Sequence, residues 1–209
     1  MNMIFLGPPG AGKGTQAVRV CERLGVPHIS TGDILRHAIK EGTETGLKAK
    51  SFIDKGELVP DSVVIDIVRE RLANDDCKAG YLLDGFPRTV HQAEELEKFA
   101  VIEAVIDIDV SDDALVSRLS GRCVCMSCDG TFHVNNLNGS NLCPVCGAEL
   151  VHRKDDQPET VLSRIKVYHA QTEPLIGFYK SRNLLKKVDG EKTMDECFNE
   201  ILSALGKNE

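Results

Sequence analysis

The chain alternates between short apolar runs and longer stretches whose apolar residues recur every three or four positions. Met3-Ile4-Phe5-Leu6 is the first run and reads as a buried strand; residues 16–24 follow with Ala17, Val20, Cys21 and Leu24 on one helical face. Val26-Pro27-His28-Ile29 is a short segment leading to Ser30 and Thr31, either of which caps a helix carrying Ile34, Leu35, Ala38 and Ile39. Residues 47–58 repeat that spacing with Ala49, Phe52 and Ile53. After Val59-Pro60, Asp61 caps a helix over 61–72 whose broad apolar face holds Val63, Val64, Ile67, Val68 and Leu72.

In the second half, Tyr81-Leu82-Leu83-Asp84-Gly85 reads as a buried parallel strand ending in a carboxylate, and residues 90–99 as a helix. Residues 104–110 alternate apolar and acidic positions, and Ser111-Asp112-Asp113 caps a helix through Leu119, with Arg118 and Arg122 at i and i+4 on one face. Residues 160–179 give the longest helical pattern, capped by Thr160 and bent or interrupted by Pro174. Residues 184–190 form a last strand and turn, and 194–205 a closing helix. Strands alternating with helices predict a parallel doubly wound α/β sheet.

Composition narrows the class. The 209 residues are 42% hydrophobic and 27% charged with a net charge of −7, so no overall basic field draws the chain to nucleic acid or an anionic membrane. No apolar run approaches a membrane span. The N-terminus lacks a basic segment and meets Gly7-Pro8-Pro9 at once, so a cytoplasmic chain without a signal peptide is expected. Of the eight cysteines, five fall between residues 123 and 146, which in such a compartment argues for a metal site rather than disulfides. Cys21, Cys77 and Cys197 are expected to be packing residues or free thiols.

Gly7-Pro8-Pro9-Gly10-Ala11-Gly12-Lys13-Gly14-Thr15, between a strand and a helix, has the context of a phosphate-binding loop. Glycines let backbone N–H groups approach an anion at a helix N-terminus, and Lys13 adds a mobile charge. Gly14 departs from the usual pattern, standing where Ser or Thr follows the lysine. Asp84, at the strand end where open α/β sheets bind ligands, is placed to hold Mg²⁺ through water; the alternative is a cap for the next helix.

Cys125-Met-Ser-Cys128 and Cys143-Pro-Val-Cys146 are two C-x2-C knuckles with 14 residues between them. Two such turns close a tetrahedron of thiolates with no open position, a structural site that suits Zn²⁺, although iron or cobalt also fits four sulfurs. Cys123 and His133 are spare ligand candidates.

GPPGAGKGTQ, STGDILR, GELVPD, GFPRT, GRCVC, RKDDQPET and VDGEK, in this order from Met1 to about Leu205, together resemble the bacterial adenylate kinases of the long, zinc-lid form. The resemblance implies a P-loop nucleoside monophosphate kinase fold, a five-stranded parallel sheet flanked by helices. Residues 1–29, 60–121 and 157–209 would form the core, 30–59 a helical NMP-binding insert and 122–156 a zinc-knuckle lid. It implies Mg²⁺-dependent, reversible phosphoryl transfer from ATP to AMP giving two ADP, in adenine nucleotide homeostasis. It further implies structural Zn²⁺, a cytoplasmic monomer, nucleotides as partners, and neither nucleic acid nor membrane.

Carried over by position, Gly10, Ala11, Gly12, Lys13, Gly14 and Thr15 hold ATP phosphates, Lys13 reaching the β and γ groups, with Thr15 and Asp84 around Mg²⁺. Thr31, Arg36, Glu57, Leu58, Val59, Gly85, Phe86, Pro87, Arg88 and Gln92 form the AMP site, Arg36 and Arg88 gripping phosphate and Gln92 reading adenine. Arg118 and Arg122 lie at the lid base against ATP, with Thr131, Phe132 and the backbone of Lys192 near its adenine. Arg153 and Arg164 join the AMP site and close on the transferring phosphoryl, completing a catalytic set with Lys13, Arg88 and Arg122, while Asp155 and Asp156 hold the charge network of the closed lid. Residues 134–142 depart from the family by being short and lacking an Asn-Pro-Pro-Lys-like segment.

The arginines agree with chemistry read directly: phosphoryl transfer to a phosphate oxygen needs alignment, charge neutralisation and exclusion of water rather than a strong base, and planar guanidinium forks bind phosphate oxygens in pairs. Three competing readings use the same residues: a kinase for UMP, CMP or GMP, a zinc-ribbon nucleic-acid-binding protein switched by ATP, and a structural zinc protein with a vestigial loop. Thr31, Leu58 and Gln92 favour adenine by resemblance. The acidic charge, and Phe132 standing alone among the knuckles, oppose nucleic acid.

Overall fold

A computed structural model describes residues 1–128 and 130–207. The first half runs β1 (Asn2–Leu6), α1 (Lys13–Leu24), β2 (His28–Ser30), α2 (Thr31–Glu41), α3 (Glu44–Lys55), α4 (Asp61–Leu72), β3 (Tyr81–Asp84) and α5 (Val90–Glu97). It continues with β4 (Ala104–Asp109), α6 (Asp112–Ser120), β5 (Arg122–Cys125), β6 (Thr131–His133), β7 (Leu150–His152), α7 (Pro158–Val167), α8 (Pro174–Lys180), β8 (Leu185–Asp189) and α9 (Met194–Ala204).

The expected parallel sheet is present, in the order β2-β3-β1-β4-β8 with every neighbouring pair parallel. Period-two side chains divide its core. Met3 and Phe5 pack with Leu82 and Ile106 against α1, α6, α7 and α9, while Ile4 and Leu6 pack with Leu83 and Val105 against α2, α4, α5 and α8. The register Phe5↔Asp84 and Leu6↔Asp107 brings the C-terminal ends of β1, β3 and β4 to one edge. The loops after β1 and β3 therefore open side by side, at the ligand-binding edge of such sheets.

A second sheet, β6-β5-β7, is antiparallel, pairing Cys123 with Phe132 and Cys125 with Leu150. Its core is small: Cys123, Cys125, Leu137, Cys143 and Leu150.

Several local expectations change in three dimensions. The pattern over 160–179 is not one helix, because α7 ends at Val167, a π-helical turn spans Tyr168–Thr172 and Pro174 opens α8. Proline has no N–H to give to the preceding turn and its ring crowds the carbonyl four residues back, so the helix widens and restarts. That region is preceded by Gln157 with Pro158 in the first turn rather than capped by Thr160.

Ser30, not Thr31, caps α2, its Oγ accepting from the Asp33 N–H at 3.3 Å. α3 begins at Glu44, three residues before the apolar pattern shows, because Thr43 Oγ1 accepts from the Gly46 N–H at 3.1 Å. Asp61 makes no cap bond, and its carboxylate turns to α5 instead. Ser111 precedes α6 without a side-chain cap bond, its hydroxyl donating to Glu191 Oε1 at 2.5 Å. α6 stops at Ser120 and Arg122 begins β5, so Arg118 and Arg122 do not share a helical face. Finally, β4 is buried from Ala104 to Ile108, Asp107 included, because a central strand covered by helices on both sides has no solvent face.

Candidate active site and metal centre

The loop after β1 is shaped by close approach. Gly7 (φ +135°) lies against β4, where an added Cβ would meet Ile108 O at 2.4 Å; at Gly10 (φ +88°) it would meet Leu119 at 2.9 Å. α1 starts after Gly12 with no side-chain cap, so its first N–H groups face the loop without a competing internal acceptor. Lys13 Nζ donates to Gly7 O at 2.7 Å and Pro8 O at 2.8 Å, folding over the loop it belongs to. Burial lowers its pKa to about 8; Asp84 raises it, and the charges of Arg88, Arg164 and Arg122 lower it further. A half-buried ammonium whose charge is opposed by three guanidiniums is a site that an anion relieves.

Asp84 ends β3 beside that lysine. Thr89, whose Oγ1 accepts from the Gln92 N–H at 3.1 Å, caps α5, so the capping alternative for Asp84 is not realised. His28 Nε2 lies 3.4 Å from Asp84 Oδ2. Burial pushes the Asp84 carboxyl up, but the His28 hydrogen bond and the Lys13 charge outweigh it and hold the group below the ordinary carboxylate range. A Cβ at Gly14 would sit 3.6 Å from Asp84 Oδ2. The loop's departure therefore falls beside the carboxylate, at an ordinary van der Waals distance.

A cavity beside these groups is lined by Thr31, Leu35, Arg36, Glu57, Leu58, Val59, Val64, Gly85, Arg88, Gln92, Arg153, Asp155 and Arg164. Residues separated by more than 130 positions thus share one wall. Thr31 Oγ1 donates to Gly85 O at 2.9 Å, and Arg88 Nε to the same carbonyl at 2.8 Å. Arg36 pairs with Asp33. Phe86 is fully buried in the core behind the cavity. Desolvation lowers the pKa of the half-buried Arg164, which remains a cation at neutral pH, while Arg88 keeps an exposed side chain at the cavity mouth.

Asp155 and Asp156, both buried, gather the lid-base arginines. Arg153 and Arg164 reach Asp155 at 2.9 and 3.0 Å, Arg164 reaches Asp156 at 2.8 Å, and Arg122 clasps Asp156 with Nε at 2.7 Å and Nη2 at 2.5 Å. Burial lowers the Arg122 pKa to about 10, with Arg153 acting in the same direction against Asp156. Asp155 is pushed up by burial, yet Arg153 and Arg164 hold it far below the ordinary carboxylate range. Arg118 donates instead to Gly190 O at 2.8 Å, fixing the loop that carries Lys192, whose Nζ meets Glu200 at 2.8 Å. Thr131 and Phe132 lie on β6, with Phe132 packed against the small lid core.

The sulfurs of Cys125, Cys128, Cys143 and Cys146 lie within 4.8 Å of one another, as ligands of one tetrahedral ion require. Backbone N–H groups of Cys128 and Ser127 lower the pKa of the Cys125 thiol, whereas Cys128, against the Gly130 N–H, is raised through its bond to Cys143. Neither spare candidate joins the four: Cys123 lies 3.7 Å from the His152 ring, and His133 Nδ1 accepts from the Asn135 N–H at 3.2 Å. Cys21, Cys77 and Cys197 are buried, as expected of packing residues.

Sequence reasoning passed over His28, treated only as part of a connecting segment, and the contacts of Asp61, Asp33 and Asp107. No local pattern separates these from ordinary polar residues; their partners lie 31 positions away for Asp61 and 56 for His28.

A parallel sheet whose first loop wraps a half-buried lysine at a helix N-terminus, beside an arginine-lined cavity, defines a phosphate-loop phosphotransferase. The adenylate kinase family model matches residues 5–184. Over 214 aligned positions the chain is 52% identical to the adenylate kinase of Lachnoclostridium phytofermentans, covering 99% of both chains. It is 51% identical to those of Caldicellulosiruptor saccharolyticus, over 99% of both chains, and Alkaliphilus oremlandii, over 100% of both. The chain belongs to the adenylate kinase family.

Proposed function

We propose that this enzyme carries out the family's reaction, reversible phosphoryl transfer from ATP to AMP giving two ADP, by charge clamping within a closing lid. The observation that carries the reading is the single cavity in which Arg36, Arg88, Arg153 and Arg164 meet Thr31, Leu58 and Gln92. Thr31, Gln92 and Gly85 with the Glu57-Leu58-Val59 segment seat AMP, its phosphate between Arg36 and Arg88, while Phe86 and Pro87 back that wall from the core. Residues 10–15 seat the ATP phosphates, and Lys13 leaves its loop carbonyls for the β and γ groups. Arg118, Thr131, Phe132 and Lys192 border the ATP base, and Arg122, Arg153 and Arg164 surround the transferring group.

No strong base is needed, because the acceptor is already a phosphate oxygen; in-line alignment and neutralised charge supply the rate. When bound with ATP, Mg²⁺ neutralises charge on the phosphates; Asp84, oriented by His28, and Thr15 are the groups placed to hold its water shell. The lid over residues 122–156 excludes water, which otherwise competes as acceptor. The four thiolates suit structural Zn²⁺, since they leave no position for substrate. A cytoplasmic monomer completes the reading, by resemblance to the family, and the net charge of −7 opposes nucleic-acid partners; among the described residues no helix is long and apolar enough to cross a membrane.

The test is ADP formation from Mg·ATP with AMP, UMP, CMP or GMP, against a control without acceptor. Rapid turnover with AMP, reversible from ADP, is expected; preference for a pyrimidine acceptor overturns the base pocket, and no transfer to any acceptor overturns the function.

A further inference from the structure

Gln92 is 1% exposed and its amide is held at both ends. Its Oε1 accepts from the Arg88 backbone N–H at 2.7 Å, and its Nε2 donates to Asp61 Oδ1 at 2.7 Å. Asp61 Oδ2 in turn accepts from Thr89 Oγ1 at 2.9 Å, and Thr89 Oγ1 accepts from the Gln92 N–H at 3.1 Å. The ring of bonds has one consistent orientation. A carboxylate only accepts and a backbone N–H only donates, so the amide must turn NH₂ toward Asp61 and oxygen toward Arg88. What remains for the cavity is one N–H and one lone pair, at fixed positions.

We propose that Asp61 is a positioning residue that locks the Gln92 amide in the orientation that accepts a 6-amino purine and rejects a 6-oxo purine. The inference rests on the reading of Gln92 as the group that meets the AMP base. The pairing edge of adenine offers an exocyclic N–H donor beside the N1 acceptor. A 6-oxo purine offers the reverse, a carbonyl acceptor beside an N1–H donor. A freely turning amide satisfies either by flipping through 180°; an amide pinned by an acceptor-only carboxylate satisfies one. The base cannot compensate by turning over, because Leu35, Val59 and Val64 line the same cavity and Arg36 and Arg88 hold its other end.

The alternative is that Asp61 only straps α4 to α5, and base selectivity distinguishes the two. kcat/KM is measured with AMP and with inosine monophosphate, which differs from AMP at the 6-edge and lacks the 2-amino group that would confuse GMP. The wild-type chain is expected to reject inosine monophosphate; comparable turnover of the two overturns the lock directly. In Asp61→Asn the new amide presents oxygen or NH₂ to Gln92, so a flipped amide meets one mismatch, at the Arg88 N–H, instead of two; the AMP-to-IMP ratio is expected to fall about tenfold, the one hydrogen-bond mismatch removed. Asp61→Glu, which remains acceptor-only, is expected to recover part of it.

Gln92→Leu separates the two layers. A raised KM for AMP in Gln92→Leu with an unchanged ratio in Asp61→Asn, whatever the melting temperature, sinks the lock and leaves the AMP site standing. An unchanged KM in Gln92→Leu removes both. If Asp61→Asn does not fold, Asp61→Ser, whose hydroxyl also donates or accepts, is read in the same assay with the same outcomes.

Discussion

Lys13, half-buried at the start of α1, and Asp107, buried in β4, are both groups whose charged form desolvation disfavours. Desolvation depresses Lys13 to about 8, so its charged form costs the nucleotide-free fold stability, while in the proposed reaction that charge serves the ATP phosphates. Lys13→Met is therefore expected to lower kcat by at least about a hundredfold with an equal or higher melting temperature. Both are read on one preparation, and parallel loss of fold and rate would sink its role in transfer. Asp107, 2% exposed and with Oδ1 unpartnered, is raised to about 6 by burial and then by Asp109, with Glu173 adding and Lys187 and Lys13 opposing. Between its ordinary value and 6 the folded chain holds a proton that the unfolded chain has released, so this group's stability contribution falls as pH rises through that window. Asp107→Asn should remove the loss and stabilise at pH 8 by on the order of 2 kcal/mol, with no gain at pH 3.5 in urea unfolding. Asp84 was readable as the carboxylate that ends a buried strand, but the burial of Asp107 was not: alternating apolar and acidic positions do not show it, and only the helices covering both sides of β4 bury it.

Among the elements, the short segment after β7 matters most, because Asp155 and Asp156 there tie β5 and α7 together through Arg122 and Arg164. Removing one member of a buried ionic cluster leaves its partners desolvated and unpaired, so Asp156→Ala should cost about 3–5 kcal/mol and impair transfer through Arg122 and Arg164. Chemical denaturation and turnover measured together check this; a neutral outcome would show that the arginines find water. The depressed pKa of Asp155 gives stability that is fully present above the unfolded carboxylate value and is lost as pH falls below it toward the folded value. Acid unfolding should therefore be less steep in Asp155→Asn. The stretch RKDDQPET exposes these charges in sequence, yet their pairing depends on α7 facing β5. In the same way, spacing put Arg118 and Arg122 on one face, but Gly121 ends the helix between them and sends one to Gly190 and the other to Asp156.

For the whole molecule, the question is what holds the small antiparallel sheet together. Its core of five buried residues includes three cysteines and cannot by itself supply much apolar burial. The four cysteines, gathered in knuckles outside the arginine cluster, could hold one metal ion, which would replace that missing core. Chelation is expected to lower the melting temperature while leaving turnover at low temperature nearly intact. Abolished activity with an intact fold would contradict a purely structural metal.

Local chemistry was sufficient for the alternation of strands and helices, the phosphate-binding loop and the two cysteine knuckles, because each is a pattern over a few consecutive residues whose geometry the backbone largely dictates. Tertiary structure decided where the charges go: His28 onto Asp84, Asp61 onto Gln92, Asp107 into the sheet, and Arg122, Arg153 and Arg164 onto two adjacent aspartates. The strength and partner of a charge depend on its burial and on groups brought from distant segments. Sequence spacing carries neither quantity, and packing of the sheet against its helices fixes both.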